Sequence, residues 1–94
     1  MHQRKQAMFE RSDAFVILPG GLGTLDEFFE TLTWKQIGLH NKPIVILDSL
    51  CYWAPLKELL QHTIEEGFTP ISSKSLYYTV QSVDELFEVL EEAS

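Results

Sequence analysis

Between the apolar run Ala14-Phe15-Val16-Ile17-Leu18 and a stretch with helical apolar spacing lies the segment Pro19-Gly20-Gly21-Leu22-Gly23-Thr24. A proline and three glycines so close together cannot comfortably continue either a strand or a helix, so the chain must turn there. The run before the turn is apolar at every position, the pattern of a strand buried on both faces of a parallel sheet. After it, Leu25, Phe28, Phe29 and Leu32 recur at helical spacing, and Thr24-x-x-Glu27 has the form of a capping box. The spacing predicts a helix from Thr24 to about His40.

The same order recurs downstream. Ile44-Val45-Ile46-Leu47 reads as a second buried strand after Pro43, and Leu56, Leu59, Leu60 and Ile64 stripe a helix that Gly67 closes as its C-cap residue. Leu76 to Val80 reads as a third strand. Ser82-x-x-Glu85 caps a last helix striped by Val83, Leu86, Phe87 and Leu90. Upstream, residues 3–12 mix charges with Ala7, Met8 and Phe9 and read as a helix stopped at Ser12-Asp13. Short apolar strands alternating with amphipathic helices specify an α/β layer fold with a mostly parallel sheet covered on both faces. With no linker and no repeat, residues 1–94 read as a single domain. Three strands make a narrow sheet, so the chain reads as half of a larger layer, completed by a second copy or by residues upstream of Met1.

Composition narrows the function. A chain of 94 residues with 45% apolar and 22% charged side chains is the makeup of one packed globular domain. A formal net charge of −7 argues against a general electrostatic grip on nucleic acid, where Lys and Arg must displace condensed counterions. The charge is uneven: residues 1–42 hold five basic and five acidic side chains, residues 43–94 two and nine. A small anionic ligand therefore favours the first half. No apolar run approaches the ~18–20 residues of a membrane span, and Met1-His2-Gln3-Arg4-Lys5 has no apolar segment behind it. Cys51 is the single cysteine, so no disulfide framework is expected and the chain reads as cytoplasmic.

The glycine turn carries the chemistry. A strand that ends in glycines and leads straight into a helix presents backbone N–H groups at the helix N-terminus, an anion site. Glycine permits the sharp turn, and its missing Cβ lets an oxyanion approach the main chain. Two familiar phosphate loops do not fit: Gly23 is followed by Thr24-Leu25 rather than by Lys and a hydroxyl residue, and Asp26 stands where a dinucleotide fingerprint needs its third glycine. The plainer alternative is a turn that only joins strand to helix. Thr24 can donate to the same anion or cap the helix. Glu27 can complete the capping box, or it can face the ligand beyond its phosphate and stabilise a developing positive charge. Asp26 points about 100° away around the helix and ranks as solvated or supporting. Arg4, Lys5 and Arg11 form the most basic stretch, read as a wetted helix face or as supplying a guanidinium for phosphate or purine recognition. His2, His40 and His62 lack ligand spacing, so neither metal nor cofactor is expected.

With these residues in place, the chain resembles the LONELY GUY (LOG) family of nucleotide phosphoribohydrolases, long labelled lysine decarboxylases. Met1-His2-Gln3-Arg4-Lys5 resembles the family's M-H-x-R-K segment, and Pro19 through Glu27 resembles its P-G-G-x-G-T-x-x-E. Likeness continues through Thr33 to His40, Lys42-Pro43 and Glu66-Gly67-Phe68. The resemblance implies a Rossmann-like fold and hydrolysis of the N-glycosidic bond of nucleoside 5′-monophosphates, including cytokinin riboside monophosphates and AMP. It implies that Gly20, Gly21, Gly23 and Thr24 hold the 5′-phosphate with Lys5 nearby, and that Arg4 and Glu27 are the catalytic pair. Family members are roughly twice this length, so the chain resembles their C-terminal half. The family's dimers imply a homodimer, whose face Trp34, opposite the core stripe, would join. A lysine decarboxylase reading is rejected on the residues, because Lys35, Lys42, Lys57 and Lys74 read as surface with no pyridoxal context. The alternative from another class is a non-catalytic carrier of a nucleotide or of molybdenum cofactor.

Overall fold

The computed structural model describes residues 13–93. The helix expected over residues 3–12 lies outside the described residues. The elements are β1 (Phe15–Ile17), α1 (Leu22–Gln36), β2 (Ile44–Leu47), α2 (Ala54–Glu65), β3 (Tyr78–Val80) and α3 (Val83–Ala93). The three strands form one parallel sheet in the order β1-β2-β3. Phe15 lies opposite Ile44 and Ile17 opposite Ile46; Val45 lies opposite Tyr78 and Leu47 opposite Val80.

Side chains on a strand alternate between faces, and the two faces have separate cores. On one, Ile17, Ile44 and Ile46 pack with Phe28 of α1, Leu56 of α2 and Trp53, flanked by Phe15, Leu25, Leu32, Leu60 and Tyr77. On the other, Val45, Leu47 and Val80 pack with Leu86, Val89 and Leu90 of α3. All four residues of the central strand are buried, which is why its sequence shows no polar alternation. The helices α1 and α2 share a face because crossovers of one hand between successive parallel strands place them there. Phe28 is completely buried, with Tyr77 edge-on to it at 6.0 Å. The result is an α/β three-layer arrangement of Rossmann-like type.

Helix ends follow local chemistry. Both α1 and α2 close in a Schellman motif. Gly38 (φ 84°) donates to Lys35 O and Leu39 to Trp34 O. Gly67 (φ 82°) donates to Ile64 O and Phe68 to Thr63 O. Gly67 is thus the residue just beyond the helix, as its position predicts, and α1 stops at Gln36, earlier than expected. At α3, Glu85 N–H donates to Ser82 Oγ at 3.2 Å while Glu85 Oε2 accepts from Gln81 N–H at 2.9 Å, a capping box shifted by one residue.

Three expectations need correction. Ile71–Leu76 is a 3-10 segment and only Tyr78–Val80 is strand, so Leu76 does not start β3. The inward stripe of α3 is Leu86, Val89 and Leu90, whereas Val83 and Phe87 are exposed. On α1 and α2, Phe29 and Leu59 are exposed, because each helix covers one layer of a three-stranded sheet and only a narrow stripe is sealed. Among the described residues no helix is long and apolar enough to cross a membrane.

Candidate functional site

The chain leaves β1 at Ile17, passes Leu18 and Pro19, and enters α1 at Leu22 with Gly21 as N-cap. The helix therefore begins inside the glycine segment, with its N-cap at Gly21, three residues earlier than the Thr24 that the capping-box pattern predicts. No side chain caps it, and no acidic residue lies in its first turn. The Thr24–Glu27 capping box is absent. Its physical replacement is the glycine turn: Leu25 N–H donates to Gly21 O at 3.1 Å to close the first turn. The N–H groups of Leu22, Gly23 and Thr24 belong to the part of a helix that has no intrahelical acceptors. These donors, at the positive end of the helix dipole, are the elements of an anion site.

Each glycine has its own surroundings. A Cβ built on Gly20 would collide with the Thr24 hydroxyl and would sit 3.1 Å from Thr24 Cβ, so the threonine folds back over the Gly20 backbone. Over Gly21 and Gly23 nothing lies within 4 Å of a built Cβ. The bare sides of the turn are open at the two glycines next to the free amides. Thr24 is half-buried and Glu27 exposed, three residues apart on α1 and so on one side of it. Glu27 stands in the second turn, beyond the reach of a capping role. The structure brings Gly20, Gly21, Gly23 and Thr24 together with Glu27 a turn further along. Arg4 and Lys5 lie outside the described residues.

A cleft of about 430 Å³ opens beside the turn, between Gly20, Gly21, Leu22 and Leu25 on one wall and Tyr52, Trp53, Pro55, Leu56 and Leu59 on the other. Glu27 does not line it. Tyr52 spans the cleft's edge, donating its hydroxyl to Gly20 O at 2.6 Å. Nothing in the local sequence marks Tyr52, because its partner is 32 residues away.

The far wall is held by Asp48, which directly follows β2 and is fully buried. Its Oδ1 accepts the Trp53 N–H at 2.7 Å, and its Oδ2 meets Lys57 Nζ at 3.0 Å as an ion pair without full hydrogen-bond alignment. Desolvation alone would raise the Asp48 pKa; the Trp53 N–H and the Lys57 ammonium outweigh it and hold the carboxyl below its ordinary value. Lys57 is therefore a paired, half-buried group rather than a free surface lysine. Lys35 is half-buried too, and burial lowers its pKa. Between Asp48 and Trp53 the chain makes one 3-10 turn, Ser49–Cys51, in which Leu50 and Cys51 are left-handed at φ 55° and 58°. A carboxylate ending an otherwise apolar strand was the one sequence signal for this wall. Trp53 itself is buried packing.

A family model described as "Possible lysine decarboxylase" matches residues 1–92. Curated relatives include a cytokinin riboside 5′-monophosphate phosphoribohydrolase of Rhodococcoides fascians, 46% identical over 84 residues that cover 89% of this chain and 42% of the relative. Two proteins of the same name from Arabidopsis thaliana are 42% and 41% identical, over 100% and 98% of this chain and 44% and 43% of the relatives. The chain spans less than half the length of the curated relatives it matches.

Proposed function

Because the chain belongs to the family described as possible lysine decarboxylase, the LOG family that its Met-His and glycine-turn segments resemble, we propose that it acts on nucleoside 5′-monophosphates. The reaction is hydrolysis of the N-glycosidic bond, with cytokinin riboside 5′-monophosphate, the compound named in the relatives, or AMP as substrate. The observation that carries this reading is the uncapped first turn of α1, open over Gly21 and Gly23 at the carboxyl end of β1, where ligands bind in open α/β sheets.

In this reading the amides of the turn, with Thr24, receive the 5′-phosphate and anchor the end of the substrate remote from the bond that breaks. Anchoring turns remote binding into orientation of the reacting carbon. As the C1′–N bond lengthens, positive charge builds on the ribose, and the exposed, uncapped Glu27 carboxylate stabilises it. Water bonds to C1′, its proton goes to the departing base nitrogen, and free base and ribose 5-phosphate remain. Arg4 orients Glu27 or the base, and Lys5 adds charge for the phosphate. The same reading takes the protein as one nucleotide-binding domain working in the cytoplasm as a homodimer, with the Trp34 side of α1 at the subunit interface. Size-exclusion chromatography at high concentration tests the dimer.

The test of function is incubation with AMP and with cytokinin riboside 5′-monophosphate, followed by chromatography for free base and ribose 5-phosphate. Appearance of free base also separates hydrolysis from a non-catalytic carrier. Glu27→Gln is expected to keep AMP binding and lose at least about 100-fold in turnover, the scale of one positioned catalytic group. Near-normal hydrolysis by that variant overturns the assignment of Glu27.

A further inference from the structure

The Gly20–Gly21 peptide sits at the mouth of the anion site; Thr24 folds over Gly20, but among the described residues no hydrogen bond from within the glycine turn holds the peptide's carbonyl. Rotating such a unit changes ψ of the first residue and φ of the second, and glycine on both sides removes the steric barrier that a Cβ would raise. No atom approaches a built Cβ on Gly21 within 4 Å. What fixes the unit comes from a different part of the chain: the Tyr52 hydroxyl, bonded at 2.6 Å to Gly20 O. A peptide is planar and trans, so its carbonyl and the following N–H point in opposite directions. Holding Gly20 O toward Tyr52 therefore turns Gly21 N–H away from it and sets the start of α1.

The loop that delivers Tyr52 is itself unusual. Leu50 and Cys51 both adopt the left-handed region, which L residues disfavour, and Leu50 is fully exposed, so its own packing does not explain the conformation. The strain is held from below by Asp48, whose carboxylate binds Trp53 N–H at 2.7 Å, and the Tyr52 ring meets Trp53 edge-on at 4.9 Å. Strained backbone of this kind persists where the surroundings over-determine it, and it concentrates at functional sites.

We propose that Tyr52 is a positioning residue of the anion site: its hydroxyl clamps the Gly20–Gly21 peptide and thereby aims the amides that receive the phosphate. This rests on the reading of the glycine turn as the phosphate site. Tyr52 acts through the backbone, since its hydroxyl proton is already committed to Gly20 O.

The experiment titrates ribose 5-phosphate into the isotope-labelled chain and follows the Gly21, Gly23 and Thr24 amides by NMR, for the native chain and for Tyr52→Phe. The variant removes one hydroxyl of a half-exposed side chain and keeps the ring on Trp53. The dissociation constant is expected to rise roughly five- to tenfold, the factor of one net hydrogen bond, with the melting temperature lowered by no more than the roughly 4–8 °C that about 1 kcal/mol is worth in a domain of this size. Tyr52→Leu, which lacks the hydroxyl and also loses the ring contact with Trp53, should weaken binding at least as much. Unchanged affinity in both variants overturns the positioning role while leaving the phosphate site standing. Failure of those amides to respond in the native chain overturns the phosphate site itself, and the proposal with it.

Discussion

Substituting the glycines of the turn one at a time should separate the glycine that folding needs from the one that a ligand needs. In Gly20→Ala the new methyl would overlap the Thr24 hydroxyl and lie 3.1 Å from Thr24 Cβ. Rotation about χ1 can move the hydroxyl, but Cβ is fixed by the first turn of α1, so part of the overlap must be relieved by the backbone. Overpacking of this kind costs about 1–3 kcal/mol. A domain of this size loses about 4–8 °C in melting temperature per kcal/mol, so a fall of roughly 5–20 °C is expected by circular dichroism. Adding Thr24→Ala removes the nearest clashing atom, and the double variant should recover about 1 kcal/mol in a mutant cycle.

Gly23→Ala should behave in the opposite sense. Gly23 lies within α1 with nothing inside 4 Å of a built Cβ, so alanine there gains about 0.5–1 kcal/mol of helix propensity. The same methyl stands beside the free amides and should weaken ribose 5-phosphate binding. Gly20→Ala is thus expected to lower stability, whereas Gly23→Ala raises stability while it lowers binding. A Gly20→Ala melting point within about 2 °C of the native chain would refute the Thr24 contact, and undiminished ligand affinity in Gly23→Ala would refute the role of the amides.

Other consequences can be checked with the same material. The Asp48 pKa is depressed in the fold, so its stabilisation is present above the unfolded value near 3.8 and is lost as pH falls through the lower folded value. The urea midpoint should therefore drop on acidification, and Asp48→Asn should flatten that limb; an unchanged acid limb in the variant would contradict the pairing. Lys57→Met leaves the buried carboxylate without its cation and should destabilise by about 1–3 kcal/mol in urea titration, the cost of an unsatisfied buried group and less than that of a fully buried broken pair because Lys57 is partly solvated. Leu50→Gly relieves a left-handed φ of 55° at a fully exposed side chain and should raise stability by up to about 1 kcal/mol, glycine's unfolded-state entropy offsetting part of the relief. A loss of stability there would mean that Leu50 makes contacts its exposure does not reveal.

Local rules were enough for much of the molecule. Runs apolar at every position could only be strands covered on both faces, so the alternation of elements and the parallel sheet were legible in the sequence. Gly38 and Gly67 end their helices at positive φ, the conformation that makes glycine valuable there. That the Gly20–Thr24 turn would put bare amides at a helix start was also legible, because glycines between a strand and a helix are a local signal.

Tertiary structure decided the rest. Whether Thr24 and Glu27 cap α1 turned on where the helix begins, and that is settled by Gly21 serving as N-cap and Thr24 folding over Gly20. A four-residue pattern carries no information about that competition. Tyr52 meets Gly20 across 32 residues because the ends of β1 and β2 lie side by side in the sheet, a neighbour relation set by strand order rather than by sequence distance. Asp48 likewise reads locally as a polar residue after a strand; burial under α2 turns it into the group that holds the cleft wall in place. Periodicity and turn chemistry act over a few residues and so are written in the sequence, whereas the contacts that shape the site join segments brought together only when the sheet forms.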